Sequence, residues 1–201
     1  MTTDEMRMSR GRRRPVAGRE HILSAARTIG VRHGWRAVTI RSVAHELGYA
    51  SPLLYEHFRD KEDLLTQIAV EAIAILENRL TENLPKDGNA AVLIMVERYW
   101  AFMLEHTQLY RLMNGMDGAP IDKDAVSRSS QNLCQVIGDR VQPLAGEGAT
   151  AVDGQTLADE LWALLHGMAA LHLDRFVPFE LERVTNAALR LIGGARLVPK
   201  I

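Results

Sequence analysis

Thr39-Ile-Arg-Ser-Val-Ala-His-Glu-Leu-Gly48, then Tyr49-Ala-Ser51-Pro-Leu-Leu-Tyr55-Glu-His-Phe58, then Arg59-Asp60-Lys61-Glu62, is the stretch on which this 201-residue chain turns. Thr39 is placed to cap a helix that buries Ile40, Val43, Ala44 and Leu47 and stops at Gly48. Ser51 is a natural N-cap and Pro52 suits the first helical position, where its missing N–H costs nothing. The second helix then runs only over about 52–57. Two helices this short bury little surface alone. They are well suited to presenting one helix end to a DNA groove.

The flanking sequence extends the pattern. Ile22, Ala25, Ala26 and Ile29 follow i, i+3, i+4, i+7, which predicts an amphipathic helix over 18–33, ended by Gly34. Asp60 with Asp63 predicts the cap of a long helix continuing through Leu64, Ile68, Ala72, Ile75 and Leu80, a connector between the DNA-reading end and the remainder. After Pro85 and Gly88 the spacing stays helical, with segments expected near 90–106, 108–113, 124–141, 154–174 and 178–196. No period-two alternation lasts long enough for a strand, so the expected fold is all-α. Its parts are a disordered basic arm over 1–17, a helix-turn-helix domain over 18–66, and a helical effector-binding and dimerisation domain over 67–201. The arm carries Arg7, Arg10, Arg12, Arg13 and Arg14; it either enters a minor groove or merely solubilises the chain.

Composition narrows the function class. Apolar residues make up 47% of the chain, enough for a sizeable core, yet no apolar run reaches the ~18 residues of a membrane span. The Arg-rich start has no apolar stretch after it and is not a secretory signal. A single cysteine, Cys134, leaves no disulfide framework, and with His106 or His166 it makes no metal-ligand spacing. A cytoplasmic protein without cofactor or metal is expected. The net charge of −1 hides an asymmetry: residues 1–65 hold 12 Lys/Arg against eight Asp/Glu, and the rest 12 against 17. A basic front and an acidic back fit a chain that meets phosphates at one end. No paired carboxylates, nucleophile elbow, Gly-rich phosphate loop or His-rich motif points to an enzyme.

On the second helix Arg41, Ser42 and His45 lie off the apolar face and are free to point at DNA. Arg19, Arg41 and Lys61 supply rim cations, and the helix starts offer donors to phosphate oxygens. Tyr55 and His57 carry polar tips at the end of the third helix, whereas Trp35, Leu54 and Phe58 read as core. These residues resemble the DNA-binding domain of the tetracycline-repressor-like (TetR) family, with its Ile-x-x-Ala-Ala, Gly, Thr, Leu-Gly, Leu-Tyr-x-His-Phe and Lys positions. Here they are Ile22/Ala25/Ala26, Gly34, Thr39, Leu47/Gly48, Leu54/Tyr55/His57/Phe58 and Lys61. The resemblance implies that Thr39, Tyr55, His57 and Lys61 hold phosphates and that Ser51, Pro52 and Leu53 face base edges. It sets Arg41 where some members read guanine. The chain departs from many members in having Tyr49-Ala50 after Leu-Gly. Ser51, Pro52 and Leu53 offer few hydrogen bonds, which shifts specificity toward thymine methyls, Arg41 and DNA shape.

Residues 67–201 resemble the variable effector-binding and dimerisation domain of the same family, and Trp162-x-x-x-His166-Gly167 resembles a motif of one subgroup. Met95, Tyr99, Trp100, Met103, Tyr110, Met113, Cys134, Trp162 and His166 are the candidates for an apolar effector cavity, with ordinary core packing as the alternative for each. His166 either donates to an effector or bonds a backbone carbonyl. Two apolar stripes, Leu157/Leu161/Leu164/Leu165/Met168/Leu171 and Leu181/Val184/Ala188/Leu191/Ile192, form either a two-fold four-helix interface or an internal core. The expected function is a homodimeric transcriptional regulator, a repressor released from a palindromic double-stranded DNA operator by a small hydrophobic or aromatic effector. The alternative is a ligand-independent architectural factor or activator.

Overall fold

A computed structural model describes residues 18–144 and 153–195, and the basic arm over 1–17 lies outside the described residues. The helices are α1 (Arg19–His33), α2 (Ile40–Leu47), α3 (Ser51–Leu54), α4 (Lys61–Thr81), α5 (Gly88–Glu105), α6 (Thr107–Met113), α7 (Lys123–Val141), α8 (Gly154–Leu173) and α9 (Leu181–Ala195). Short 3₁₀ turns cover Trp35–Ala37 and Gln142–Leu144. No strand occurs among the described residues. The all-α expectation therefore holds, and most element boundaries fall within two or three residues of those read from periodicity.

The small N-terminal bundle closes around Ile22, Leu23, Ala26, Trp35, Val38, Val43, Leu54 and Phe58, all essentially buried. Trp35 lies flat on α1, so that a Cβ at Gly30 would sit 2.2 Å from the indole ring. Only glycine lets that ring approach the helix backbone. The indole Nε1–H then donates 2.9 Å to the backbone carbonyl of Gln108 at the start of α6, across to the larger domain.

Helix α4 spans both parts of the molecule. Asp60 caps it, accepting from the Asp63 N–H at 2.8 Å, and 21 residues at ~1.5 Å each give a rod of about 30 Å. Leu64, Leu65 and Ile68 serve the N-terminal bundle, while Ala72, Ile73, Leu76 and Leu80 continue the buried line into the body. Ile75, expected in that line, is 42% exposed. Helices α5, α6 and α7 all pack on α4, and three neighbours make Ile73 and Leu76 the inward positions instead. The buried residues of both parts form one continuous apolar core.

Around α4, α7 packs along α8, and α9 closes against α5 and α8. This divides the two C-terminal stripes. Leu157, Leu161, Leu165 and Met168 of α8, with Val184, Ala188 and Ile192 of α9, are buried within the chain itself. Leu171, Leu181 and Leu189 are left outward, joined by Phe176 from the intervening segment, which is 76% exposed. The inner part of each stripe is thus core, covered by α5 and α7, and the outer part is left open.

Candidate functional site

The candidate DNA-reading end begins with the cap of α2. Thr39 Oγ1 accepts from the Ser42 N–H at 2.9 Å, and Ser42 Oγ accepts from the Thr39 N–H at 2.9 Å. This reciprocal capping box satisfies two amide donors that the first turn would otherwise leave open. Ser42 Oγ also donates to the carbonyl of Ala37 at 2.9 Å. Ser42, expected to face DNA, is therefore half-buried and committed to the cap. Arg41 and His45 beside it are exposed.

Helix α3 is a single turn. Its N-cap is Ala50 with no side-chain bond, so Ser51 is the first helical residue rather than the cap and Pro52 follows it. The extended backbone of Ala50 turns the chain into the helix, which displaces the expected cap by one residue. Beyond Leu54 the chain continues in tight turns, with Phe58 N–H bonded to the Leu54 carbonyl at 3.0 Å. Leu54 and Phe58 anchor this segment in the core, while Pro52 and Tyr55 are exposed and Ser51 and Leu53 half-exposed.

Arg19, expected on the rim, is exposed but engaged within the chain. Its guanidinium donates to the His57 carbonyl and the Gln67 Oε1, both at 3.0 Å, and lies 4.5 Å from the centre of the Phe58 ring. It fastens the turns after α3 to α4. The His57 Nε2 is enclosed without a hydrogen-bond partner, so a phosphate contact through that nitrogen needs the ring to turn. The Lys61 ammonium donates to the Arg36 carbonyl at 3.1 Å, and partial burial lowers its pKa. An ammonium has three donors, so this tie leaves two for an incoming phosphate. Thr39, Arg41, Tyr55 and Lys61 share the end of the molecule built by α2, α3 and the start of α4.

In the body an apolar cavity of about 30 Å³ lies between α4, α5, α7 and α8. Met95, Tyr99 and Trp162 from the expected set line it, together with Leu80, Val92, Val96, Ile137, Ala158, Leu161 and Leu165. The aliphatic wall was not singled out in the sequence, although Val92/Met95/Val96/Tyr99 and Ala158/Leu161/Trp162/Leu165 each follow i, i+3, i+4, i+7. That spacing marks a face without saying whether it meets a helix or a void. Trp100, Met103 and Met113 are buried but do not line the cavity; Trp100 packs edge-on to His172, with ring centres 5.2 Å apart.

Behind Tyr99 lies a buried polar chain. Tyr99 and Tyr110 share a hydroxyl–hydroxyl bond of 2.8 Å, and the Tyr110 hydroxyl lies 2.8 Å from His166 Nδ1. His166 thus bonds a phenol on α6, not the backbone carbonyl expected for a core histidine. Burial raises the Tyr110 pKa to about 12, raises that of Tyr99 well above the ordinary tyrosine value, and lowers that of His166. All three are held neutral. Helix α6 also carries Arg111, whose guanidinium bonds Asp117 at 2.7 Å and Asp174 at 3.0 Å. With Gln108 receiving the Trp35 indole, this seven-residue helix is tied both to the N-terminal bundle and to the end of α8.

Cys134 lies in a separate polar cleft between α7 and α8, shared with Ser127, Ser130, Gln131, Gln135, Gln155, Asp159 and Trp162. Burial, with Asp159 beside it, raises its thiol pKa to about 11. A thiol held protonated is a poor nucleophile and a poor redox sensor.

Residues 22–68 match the family model of bacterial regulatory proteins of the tetR family, and residues 92–192 match a tetracyclin repressor-like C-terminal domain. The chain is 28% identical over 181 residues to an uncharacterised HTH-type transcriptional regulator of Mycobacterium tuberculosis, spanning 88% of this chain and 80% of that one. Over 70 residues it is 33% identical to the HTH-type transcriptional repressor AcnR of Corynebacterium efficiens, which covers 35% of this chain and 37% of that protein. Among solved structures, a Rhodococcus sp. RHA1 protein of unknown function superposes with a TM-score of 0.74 at 23% identity, covering 92% of this chain and 98% of that one.

Proposed function

This chain belongs to the TetR family of bacterial DNA-binding transcriptional regulators, and from that premise we propose that it is a homodimeric repressor released from a palindromic operator by a small apolar effector. The observation that carries the reading is the position of α4. One end, at Lys61, is tied to the Arg36 carbonyl in the turn that leads into α2; the other, at Leu80, forms part of the cavity wall. A molecule entering the cavity pushes on Leu80 directly. Through Tyr99 and Tyr110 it also reaches α6, whose Gln108 carbonyl holds Trp35. Both routes end in the DNA-reading bundle.

Release follows when the effector binds better to an arrangement in which the two reading heads no longer match their half-sites. The cavity, at about 30 Å³, is far below the ~300–1,000 Å³ of a filled ligand site. The effector-bound state is therefore an expanded one, and the expansion is what displaces α4 and α6. The two heads come from a two-fold pair built on the outward faces of α8 and α9. There Leu171, Leu181, Leu189 and Phe176 are exposed, and a Cβ at Gly167 or Gly193 would meet nothing within 4 Å in the single chain. Small and apolar residues on open helix faces suit close helix packing by a second copy.

The narrow cavity also favours a second reading, a regulator that answers to no small molecule. Selection of genomic fragments by the purified protein, with affinity followed against salt, tests the DNA-binding part. A palindromic site is expected, with log affinity falling by about 0.9 per neutralised phosphate. Sequence-blind binding overturns it. Screening apolar compounds against the protein bound to that site separates the two readings: release by any of them removes the second.

A further inference from the structure

We propose that the effector is an amphipath with a cationic or hydrogen-bond-donating head, its apolar body in the inner cavity and its head in the α7–α8 cleft, with the Trp162 indole as the door between them; this rests on the effector reading above. Trp162 borders both spaces. On its inner side are Leu80, Val96, Tyr99 and Ile137. On its outer side is a cleft of about 320 Å³ lined by Ser127, Ser130, Gln131, Cys134, Gln135, Gln155 and Asp159.

The two compartments differ in chemistry. The inner one is lined by aliphatic and aromatic side chains, and its one hydroxyl, on Tyr99, is already bonded to Tyr110. The outer one is lined by serines, amides, a thiol and a carboxylate, with no Lys or Arg among the residues forming it. Asp159 is exposed there, accepting from Gln155 Nε2 at 2.9 Å. An exposed carboxylate with one neutral donor on it calls for a further, cationic donor. The half-buried Trp162 ring adds a face on which a cation can rest. A carboxylate head would meet Asp159 with like charge.

Trp162 is also the side chain with room to move. It lies between an open cleft and a void, and its contact with Tyr99 is edge-on, with centres 6.2 Å apart. Turning the indole outward joins the two spaces. The same movement frees Tyr99, the first member of the hydrogen-bonded chain to α6.

The test uses the full chain and three probes of one length, decylammonium, decanol and decanoate, titrated below micelle formation by calorimetry. An exposed charge changes affinity about three- to fivefold in each direction, so decylammonium should bind about tenfold more tightly than decanoate, with decanol between. The spread should shrink in 1 M salt. Asp159→Asn should bring decylammonium down to decanol while leaving decanol unchanged, and it alters only a surface residue. Ala158→Leu, which fills the inner cavity, should weaken all three; Val96→Leu is the second filler should that variant unfold. Equal binding of the three heads, tighter decanoate, an unaltered preference in Asp159→Asn, or no binding of any probe overturns the proposal. Equal binding accompanied by operator release leaves the effector reading standing and removes only the head-group assignment. The expected charge preference without operator release does the reverse.

Discussion

Tyr110 is the residue whose smallest change should be felt most widely. Removing its hydroxyl in Tyr110→Phe leaves Tyr99 without its phenol partner and His166 Nδ1 without its bond. Stranding buried polar groups costs about 1–3 kcal/mol, to be read as a lowered urea midpoint with an unchanged slope; an unchanged midpoint would mean that water already serves this chain. The pH dependence follows from the same trio. The folded state holds His166 neutral by burial, so as pH falls the unfolded chain takes up its proton first, near the ordinary histidine value of ~6.5. This contribution to stability is present above that pH and lost below it. Burial raises the tyrosine pKa values, which adds stability present below ~10 and lost as pH rises through that value toward about 12. A thermal melting profile that stays level from pH 8 to pH 5.5 in the wild type and in His166→Gln alike would contradict the acid limb.

Among the elements, α2 and the Trp35 turn carry separate burdens. Thr39→Ala removes the acceptor for the Ser42 N–H and should cost about 1 kcal/mol, with a loss of DNA affinity if Thr39 also meets phosphate. A stability loss with no change in DNA affinity would confine Thr39 to the cap. Trp35→Phe keeps an aromatic ring against Gly30 but deletes the only donor from the reading bundle that is seen to reach the Gln108 carbonyl among the described residues. The expected outcome is a folded protein that still binds operator but releases it less sharply when effector is added. Full release would place the coupling in α4 alone. At this scale the sequence was readable wherever a local rule governs. Asp60, Thr39 and Gly48 mark their helix ends by the chemistry of capping. Ser51 obeyed the same rule on paper, yet the structure makes it the first helical residue, because the extended conformation of Ala50 supplies the entry. Ile75 and Leu76 could not be told apart by period alone; three packed neighbours of α4 decided between them.

For the molecule as a whole, the faces left open matter most. Leu189 is 37% exposed, so Leu189→Glu should leave the single chain folded, as read by its helical circular dichroism. If α8 and α9 form the two-fold interface, the same change shifts light scattering from dimer to monomer and weakens operator binding, because each head then binds only one half-site. A variant that stays dimeric would place the interface elsewhere. The sequence by itself determined the helical fold, the capped short helices of the reading end and the identity of its exposed cations, because capping, period and charge are local properties. It could not assign Arg19 to His57 and Gln67 or His166 to Tyr110, since each depends on a residue brought near by folding; the Ser42 cap, with Thr39 three residues before it, was within reach of a local rule. Nor could it separate the inner and outer halves of the α8 and α9 stripes. Apolar period reports that a face is buried; only the packing of α5 and α7 decides which part is covered within the chain and which is left for a second copy.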